Sequence, residues 1–211
     1  MQRDRGWLIY GTGRMASKLS GRAHSEGLDV TIAGRNIQHG QAIADEHGIT
    51  FMELALDRPY DASAALERFT GIINTAGPFS ATTRPILELC LKHGLSYVDL
   101  SNEHITHQAV WAASPQAREV GVTFVPGAGL GTLGAEILAR EASAALGAIQ
   151  EFFIVLPRRD ARSSTPGVRD SAAHILATPP PEPNEREPRA PPPPGAPLRA
   201  ASPGAPPPTA R

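Results

Sequence analysis

Short apolar runs alternate along this chain with longer segments whose apolar residues have helical spacing. Trp7-Leu8-Ile9-Tyr10 is a continuous apolar run that ends at a glycine, as is typical of a strand buried on both faces of a parallel sheet. The next segment, 15–23, has apolar residues at the spacing of one helix face, and Gly27 follows it as a stop. The pattern therefore predicts a strand, a glycine turn and a helix in succession.

The same alternation continues through the following hundred residues or so. Further strands are predicted at 30–33, 49–56, 71–74, 96–100 and 122–125, and further helices at 36–48, 62–69, 85–94, 102–113 and 133–146. Asn36 and Asn102 are predicted to cap their helices, and Pro85 to lie in a first turn. This order predicts an α/β fold, a Rossmann-type doubly wound parallel sheet. Ligands of such sheets bind at the carboxyl ends of the strands.

The turn after the first strand carries the clearest chemical pattern. It reads G-x-G-x-x-A between a predicted strand and a predicted helix. The first glycine permits the tight turn, the second lets a pyrophosphate approach the backbone, and the alanine allows close helix packing. The helix N-terminus offers amides and a favourable dipole to phosphates. The residues predicted to bind a dinucleotide here are Gly11, Thr12, Gly13, Arg14 and Met15.

The end of the second predicted strand bears on the choice between NAD and NADP. NAD sites usually place an acidic residue there for the ribose 2′-hydroxyl. This chain has Ala33-Gly34-Arg35-Asn36 instead, without a carboxylate. The guanidinium of Arg35 suits a 2′-phosphate, so we expect NADP rather than NAD, with Arg35 and Asn36 in the site. The alternative is a surface arginine beside a helix cap.

A second turn of small residues follows the fourth predicted strand, at 74–78. We predict that Thr75, Ala76 and Gly77 lie against the ribose or nicotinamide side of the cofactor, with an ordinary glycine-proline turn as the alternative.

The other reactive side chains receive no catalytic assignment. Asp99, Ser101 and Glu103 follow the fifth strand, where helix capping is favoured over proton transfer. His104 and His107 have no third ligand at matching spacing, so no metal site is predicted. Cys90 lies on an apolar helix face and is expected to pack in the core.

Composition limits the remaining possibilities. The chain has 211 residues and a net charge of −1, which gives no reason to expect nucleic acid or an anionic membrane as a partner. No apolar run approaches the roughly 20 residues of a membrane helix. The single cysteine and the lack of a signal-peptide pattern favour the cytoplasm.

The last 33 residues differ sharply from the rest. Fourteen of the 21 prolines lie in 179–211, a stretch with no aromatic residue and one large aliphatic residue, Leu198. Such a segment is expected to be disordered or polyproline-like. The alternatives are an inert tail and a ligand for an SH3-like groove, for which 191–194 supplies four consecutive prolines.

Several of these motifs, in this order, resemble the saccharopine dehydrogenase-like oxidoreductases, a family that includes trans-acting enoyl reductases. The matching positions are Gly11-x-Gly13, Ala33 to Asn36, Asn74 to Phe79, Cys90-x-x-x-Gly94-x-x-Tyr97-Val98-Asp99, and Glu103. The segment from Ser163 to Ser171 is similar to the one that opens the family's second domain. The resemblance implies NAD(P) use and a substrate domain after the Rossmann domain. Two departures are Asn102, where a glycine often stands, and the proline-rich stretch that replaces much of the second domain.

These observations predict a cofactor domain at 1–147, the start of a truncated substrate domain at 148–178, and a disordered tail at 179–211. The predicted function is an NADP-dependent oxidoreductase that transfers hydride to or from a small carbonyl, imine or enoyl substrate. The alternatives are a cofactor-binding protein without activity, an adaptor acting through its tail, and a homo-oligomer or other assembly in which a partner subunit completes the site.

Overall fold

A computed structural model describes residues 6–57, 63–146 and 166–177. The predicted tail at 179–211 and most of the predicted substrate-domain start at 148–178 lie outside the described residues. Strands and helices alternate in the order β1 (Gly6–Tyr10), α1 (Arg14–Ser25), β2 (Val30–Gly34), α2 (Ile37–His47), β3 (Thr50–Glu53), α3 (Ser63–Leu66), β4 (Phe69–Asn74), α4 (Phe79–His93), β5 (Ser96–Asp99), α5 (His104–Glu119), β6 (Phe124–Val125), α6 (Thr132–Leu146) and α7 (Pro166–Ala177).

The strands form one six-stranded parallel sheet in the order β3-β2-β1-β4-β5-β6. This confirms the predicted doubly wound sheet, with the reversal of strand order at β1 and β4. In the register, Tyr10 pairs with both Ala33 and Asn74, and Asn74 pairs with Asp99. The ends of four neighbouring strands are therefore level, and their following loops meet at one edge of the sheet.

Helices cover both faces of the sheet, so β1 contributes to two separate cores. Leu8 lies in the cluster under α4 and α5, and Ile9 lies in the cluster under α1 and α2. Both side chains are 0% exposed, which stabilises the fold by roughly 1.5–3 kcal/mol for each of them. This double burial explains why the strand is continuously apolar rather than alternating.

Several predicted helix ends are confirmed. The side chain of Asn36 accepts a hydrogen bond from the amide of His39 at 3.0 Å and so caps α2. Gly48 and Gly94 end α2 and α4 in the left-handed conformation, with φ of 67° and 63°, a conformation that favours glycine.

Two other predicted helix starts are wrong. Pro85 lies inside α4, because that helix begins at Phe79. Asn102 does not cap α5, which begins at His104 after Glu103. Instead, the Asn102 side-chain oxygen accepts a hydrogen bond from the Thr132 hydroxyl at 2.6 Å.

The predicted strands differ most from the observed ones at the two edges of the sheet. The strand predicted at 49–56 is β3, Thr50–Glu53, and the strand predicted at 122–125 is β6, Phe124–Val125. β3 pairs only with β2, and β6 pairs only with β5. Each edge strand therefore includes only the residues that pair with its single neighbouring strand. The segment around Phe69, predicted as helix, belongs to β4, and α3 is a single turn.

The helix α6 buries none of its residues against the described part of the chain, and Leu133, Ile137 and Leu138 are exposed. No helix among the described residues has both the length and the apolar character needed to cross a membrane.

Candidate functional site

The turn between β1 and α1 is packed tightly against the ends of both neighbouring strands. The amide of Gly11 donates to the Ala33 carbonyl at 2.8 Å. Gly11 has a φ of +127°, and a Cβ there would come within 2.5 Å of the Thr75 hydroxyl oxygen. Glycine is therefore required at this position both for its backbone conformation and for the close approach of the next loop.

Gly13 occupies a different environment in the same turn. It is the N-cap of α1, and a Cβ at this position would meet no atom within 4 Å. The N-cap has no side chain to cap the helix, and the first turn contains no acidic residue. Because the first amides of a helix have no intrahelical acceptor, a helix N-terminus of this kind is suited to binding an anion.

An open cavity of about 280 Å³ extends from this turn between α1 and α2. Its lining combines the start of α1 with one face of α2 and contains no carboxylate. The lining residues are Thr12, Gly13, Arg14, Ser17, His39, Ala42 and Ile43. The predicted residues Thr12, Gly13 and Arg14 thus lie together at this cavity, and Met15 follows them, half-exposed, in the first turn of α1.

Arg35 and Asn36 lie between β2 and the start of α2, as predicted, and both are exposed. Arg35 is not among the residues that line the cavity. The side-chain oxygen of Asn36 is engaged by the α2 cap. Both residues therefore lie at the edge of the sheet where the parallel strands end, and Asn36 has a local structural role.

The third predicted group, Thr75, Ala76 and Gly77, follows β4 beside the glycine turn. The Thr75 amide and hydroxyl both donate to the Tyr10 carbonyl, at 2.8 and 2.9 Å. The Ala76 amide donates to the Asn74 side-chain oxygen at 3.1 Å. These bonds fix the loop against the end of β1 and leave Gly77 exposed.

A buried polar network lies behind this loop. Asn74, Tyr97 and Asp99 are each 0% exposed. The Asn74 amide lies 3.3 Å from the Tyr97 hydroxyl, which donates to the Asp99 carboxylate at 2.8 Å. Burial, and then the charge of Asp99, raise the pKa of Tyr97, so its hydroxyl stays protonated and serves as a donor.

The same Asp99 carboxylate joins two loops. One of its oxygens accepts hydrogen bonds from the amides of Ser101, at 2.9 Å, and Gly127, at 2.8 Å. The amide of Ala128 also donates to the Asp99 carbonyl at 2.8 Å. Asp99 thus holds the loops after β5 and β6 together.

Glu103 is almost completely buried, with 1% exposure. Its carboxylate accepts hydrogen bonds from the amides of Phe79, at 3.0 Å, and Ser80, at 2.9 Å. Glu103 is the N-cap residue of α5, but its side chain does not cap that helix, and the Glu103 carboxylate binds the start of α4 instead. This contact also explains why α4 begins several residues before Pro85.

The other reactive side chains have structural contacts. His107 packs edge-on against Trp111, and among the described residues no group of three potential metal ligands occurs. Cys90 is fully buried, as predicted, and burial raises the pKa of its thiol.

Sequence reasoning missed several residues of this edge. Ser17 and His39 line the cavity. Ser171 was named only as part of a segment that resembles the family's second domain, and its donation to the Glu103 carboxylate at 2.6 Å was not predicted. The helical spacing of Arg14 and Ser17 was a usable signal for the first of these. No local pattern links Ser171 to Glu103.

The sheet topology, the glycine turn and the open N-terminus of α1 define a Rossmann-type fold, a class of folds that binds dinucleotides at this position. Residues 7–125, more than half of the chain, match the family described as saccharopine dehydrogenase NADP binding domain. The chain belongs to this family. A search of curated protein sequences finds no match.

Solved structures with the same fold include apo saccharopine dehydrogenase (L-Glu forming) from Saccharomyces cerevisiae. It superimposes with a TM-score of 0.55 at 17% identity, over 67% of this chain and 32% of the yeast chain. GenD2 from gentamicin A biosynthesis, in complex with NAD, gives a TM-score of 0.49 at 18% identity, over 66% of this chain and 38% of that chain. The chain therefore spans about a third of the length of the yeast enzyme.

Proposed function

We propose that this chain is an NADP-dependent oxidoreductase that transfers hydride to or from a small carbonyl, imine or enoyl substrate. The observation that carries the proposal is the open space before Gly13, at an N-terminus of α1 that no N-cap side chain closes. It lies where the strand order of the sheet reverses, which is the position at which such sheets bind dinucleotides.

The preference for NADP rests on charge at the end of β2. Arg35 is exposed there, and no carboxylate occurs among the residues that line the neighbouring cavity. An acidic residue at this position would hydrogen-bond a 2′-hydroxyl and repel a 2′-phosphate. We therefore assign the 2′-phosphate to Arg35, with Arg14 as a second cation at the cavity.

On this proposal, the amides at the start of α1 hold the pyrophosphate, and Thr75, Ala76 and Gly77 lie along the nicotinamide end. The nicotinamide supplies the hydride chemistry when bound, and the protein orients it. Asp99 and Glu103 are not proposed as general acid or base. Each is buried, and each carboxylate accepts three hydrogen bonds from the protein.

Changing Arg35→Ala tests the assignment of the cofactor. The affinity for NADPH should fall by about tenfold, the loss expected for a surface-exposed charged contact to phosphate, while the affinity for NADH changes by less than about twofold. Equilibrium titration of both nucleotides measures this. Arg22→Ala is the matched control, since Arg22 is an exposed arginine in the last turn of α1. Equal losses for both nucleotides would contradict the role of Arg35.

The oxidoreductase part needs its own assay. The absorbance of NADPH should decrease when the protein is mixed with NADPH and a small substrate from one of three classes: a carbonyl compound, an imine or an enoyl compound. If the protein binds NADPH tightly but oxidises it with no compound of these three classes, the proposed cofactor site would be supported and the proposed activity would be contradicted.

The proposed division of the chain has the cofactor domain at 1–147, the start of a substrate domain at 148–178 and a tail at 179–211. The proposed location is the cytoplasm, and the proposed partner is a small-molecule substrate. We also propose that the chain forms a homo-oligomer and that its tail binds an SH3-like domain.

A further inference from the structure

Glu103 connects three parts of the chain that are far apart in sequence. It lies in the short segment between β5 and α5, yet its carboxylate has no partner on either element. One oxygen accepts hydrogen bonds from the Phe79 amide at 3.0 Å and from the Ser171 hydroxyl at 2.6 Å. The other accepts from the Ser80 amide at 2.9 Å.

The two amides belong to the first turn of α4, which directly follows the Thr75–Pro78 loop. Amides at a helix N-terminus have no intrahelical acceptor, and a carboxylate satisfies them and complements the helix dipole. Hydrogen bonds to a charged acceptor are stronger than neutral ones. The position of the loop at the nicotinamide end of the proposed site therefore depends on Glu103.

The third partner brings α7 to the same edge of the sheet. Ser171 follows Glu103 by 68 residues. It belongs to α7, which comes after all six strands of the sheet in the sequence. Its hydroxyl contact is short, as expected for a charge-assisted bond. Without the hydroxyl, the shared carboxylate oxygen retains only the Phe79 amide among its partners in the described part of the chain, in surroundings that exclude most water.

We propose that Glu103 is a positioning residue for the nicotinamide end of the cofactor site, and that Ser171 links the docking of α7 to the occupancy of that site. The proposal rests on the proposed cofactor binding. A ligand that lies against residues 75–77 binds best when the loop and the first turn of α4 are held in place. Coupling between two sites is reciprocal, so a bound nucleotide stabilises the docked position of α7.

Hydrogen exchange of the 166–177 amides in the full chain tests this link, measured with and without saturating NADPH. In the wild type, NADPH should slow exchange in α7. Ser171→Ala should speed exchange by about tenfold or more without nucleotide, as expected for the loss of a hydrogen bond to a charged group. It should also remove the effect of NADPH on α7.

Two further variants separate positioning from general destabilisation. Ser171→Thr keeps the hydroxyl and should restore both the protection and its dependence on NADPH. Ser25→Ala removes an exposed hydroxyl that donates to the Arg22 carbonyl at the far end of α1, and it should behave like the wild type.

An independent NADPH titration keeps the two proposals distinguishable. Nucleotide binding with no change in α7 exchange would overturn the link and leave the proposed function intact. Equal behaviour of Ser171→Ala and Ser25→Ala would also overturn it. Absence of nucleotide binding would refute the proposed function and the link together.

Discussion

The two halves of the sheet deliver loops to the same edge, but they build them in different ways. In the half formed by β1, β2 and β3, the loops expose their backbone at Gly13 and Arg35, with open space beside Gly13. In the half formed by β4, β5 and β6, the loops are tied together by the fully buried polar side chains of Asn74, Asp99 and Glu103.

This difference separates the binding of a ligand from the support of its site. The first half offers the N-terminus of α1, which no N-cap side chain closes, and a helix N-terminus of this kind suits a phosphate. The second half leaves few of its polar groups to a ligand, because the side chains already bond the backbone of neighbouring loops. Substitutions at Gly13 and Arg35 should therefore change affinity, and those in the buried polar network of the second half should change stability.

The largest effect should come from Gly13→Val. Its φ of −98° is accessible to any residue, and its Cβ would meet no protein atom within 4 Å, so the free energy of unfolding should fall by no more than the cost of about 1 kcal/mol for replacing a glycine N-cap. The added side chain fills the space assigned to the pyrophosphate, and the affinity for NADPH and NADH should fall by at least about 100-fold, or ~2.7 kcal/mol.

Calorimetric titration and a thermal melt of the same sample measure both quantities. If Gly13→Val keeps its affinity for either nucleotide, the glycine turn is not part of the binding site. The proposed difference between the two halves of the sheet would then be wrong.

In the second half, Tyr97→Phe should cost about 1–3 kcal/mol of the free energy of unfolding, because the buried Asp99 carboxylate loses a donor. Burial raises the pKa of Tyr97 above its usual value of about 10. The folded state therefore binds this proton more tightly than the unfolded state. The resulting contribution to stability is complete below about pH 10 and is lost as the pH rises above it.

Urea unfolding as a function of pH measures this contribution. The wild type should lose stability above about pH 10 more steeply than Tyr97→Phe. Identical pH dependence in the two proteins would show that the hydroxyl has little part in the network. NADPH affinity at neutral pH should change less than in Gly13→Val.

The smallest effects are expected for substitutions of two asparagines, one in each half of the sheet. Asn36→Ala removes a true helix cap and should lower the free energy of unfolding by about 1 kcal/mol. Asn102→Ala removes only a contact with the Thr132 hydroxyl in an exposed loop and should cost less. Chemical denaturation of the two variants ranks them, and a larger loss for Asn102→Ala would contradict the assignment of the caps.

The sequence predicted the sheet, its parallel strands and the loops of the first half, because these depend on local patterns. Apolar runs identify β1 and β2, and the glycine spacing identifies the turn between them. The contacts of the second half are not local. The bonds from Asp99 to Gly127 and from Glu103 to Phe79 join residues 28 and 24 positions apart, and no periodicity reports such pairs. For the same reason Pro85 indicated a helix start that lies several residues too late.

The most direct test of the central claim is the phosphorus NMR spectrum of NADPH in the presence of the protein. The wild type should shift or broaden the signals of the pyrophosphate and of the 2′-phosphate together. Gly13→Val should leave all of these signals at their free positions, and Arg35→Ala should weaken chiefly the change at the 2′-phosphate. Unchanged pyrophosphate signals with the wild-type chain at saturating protein would contradict the claim that this glycine turn holds a dinucleotide.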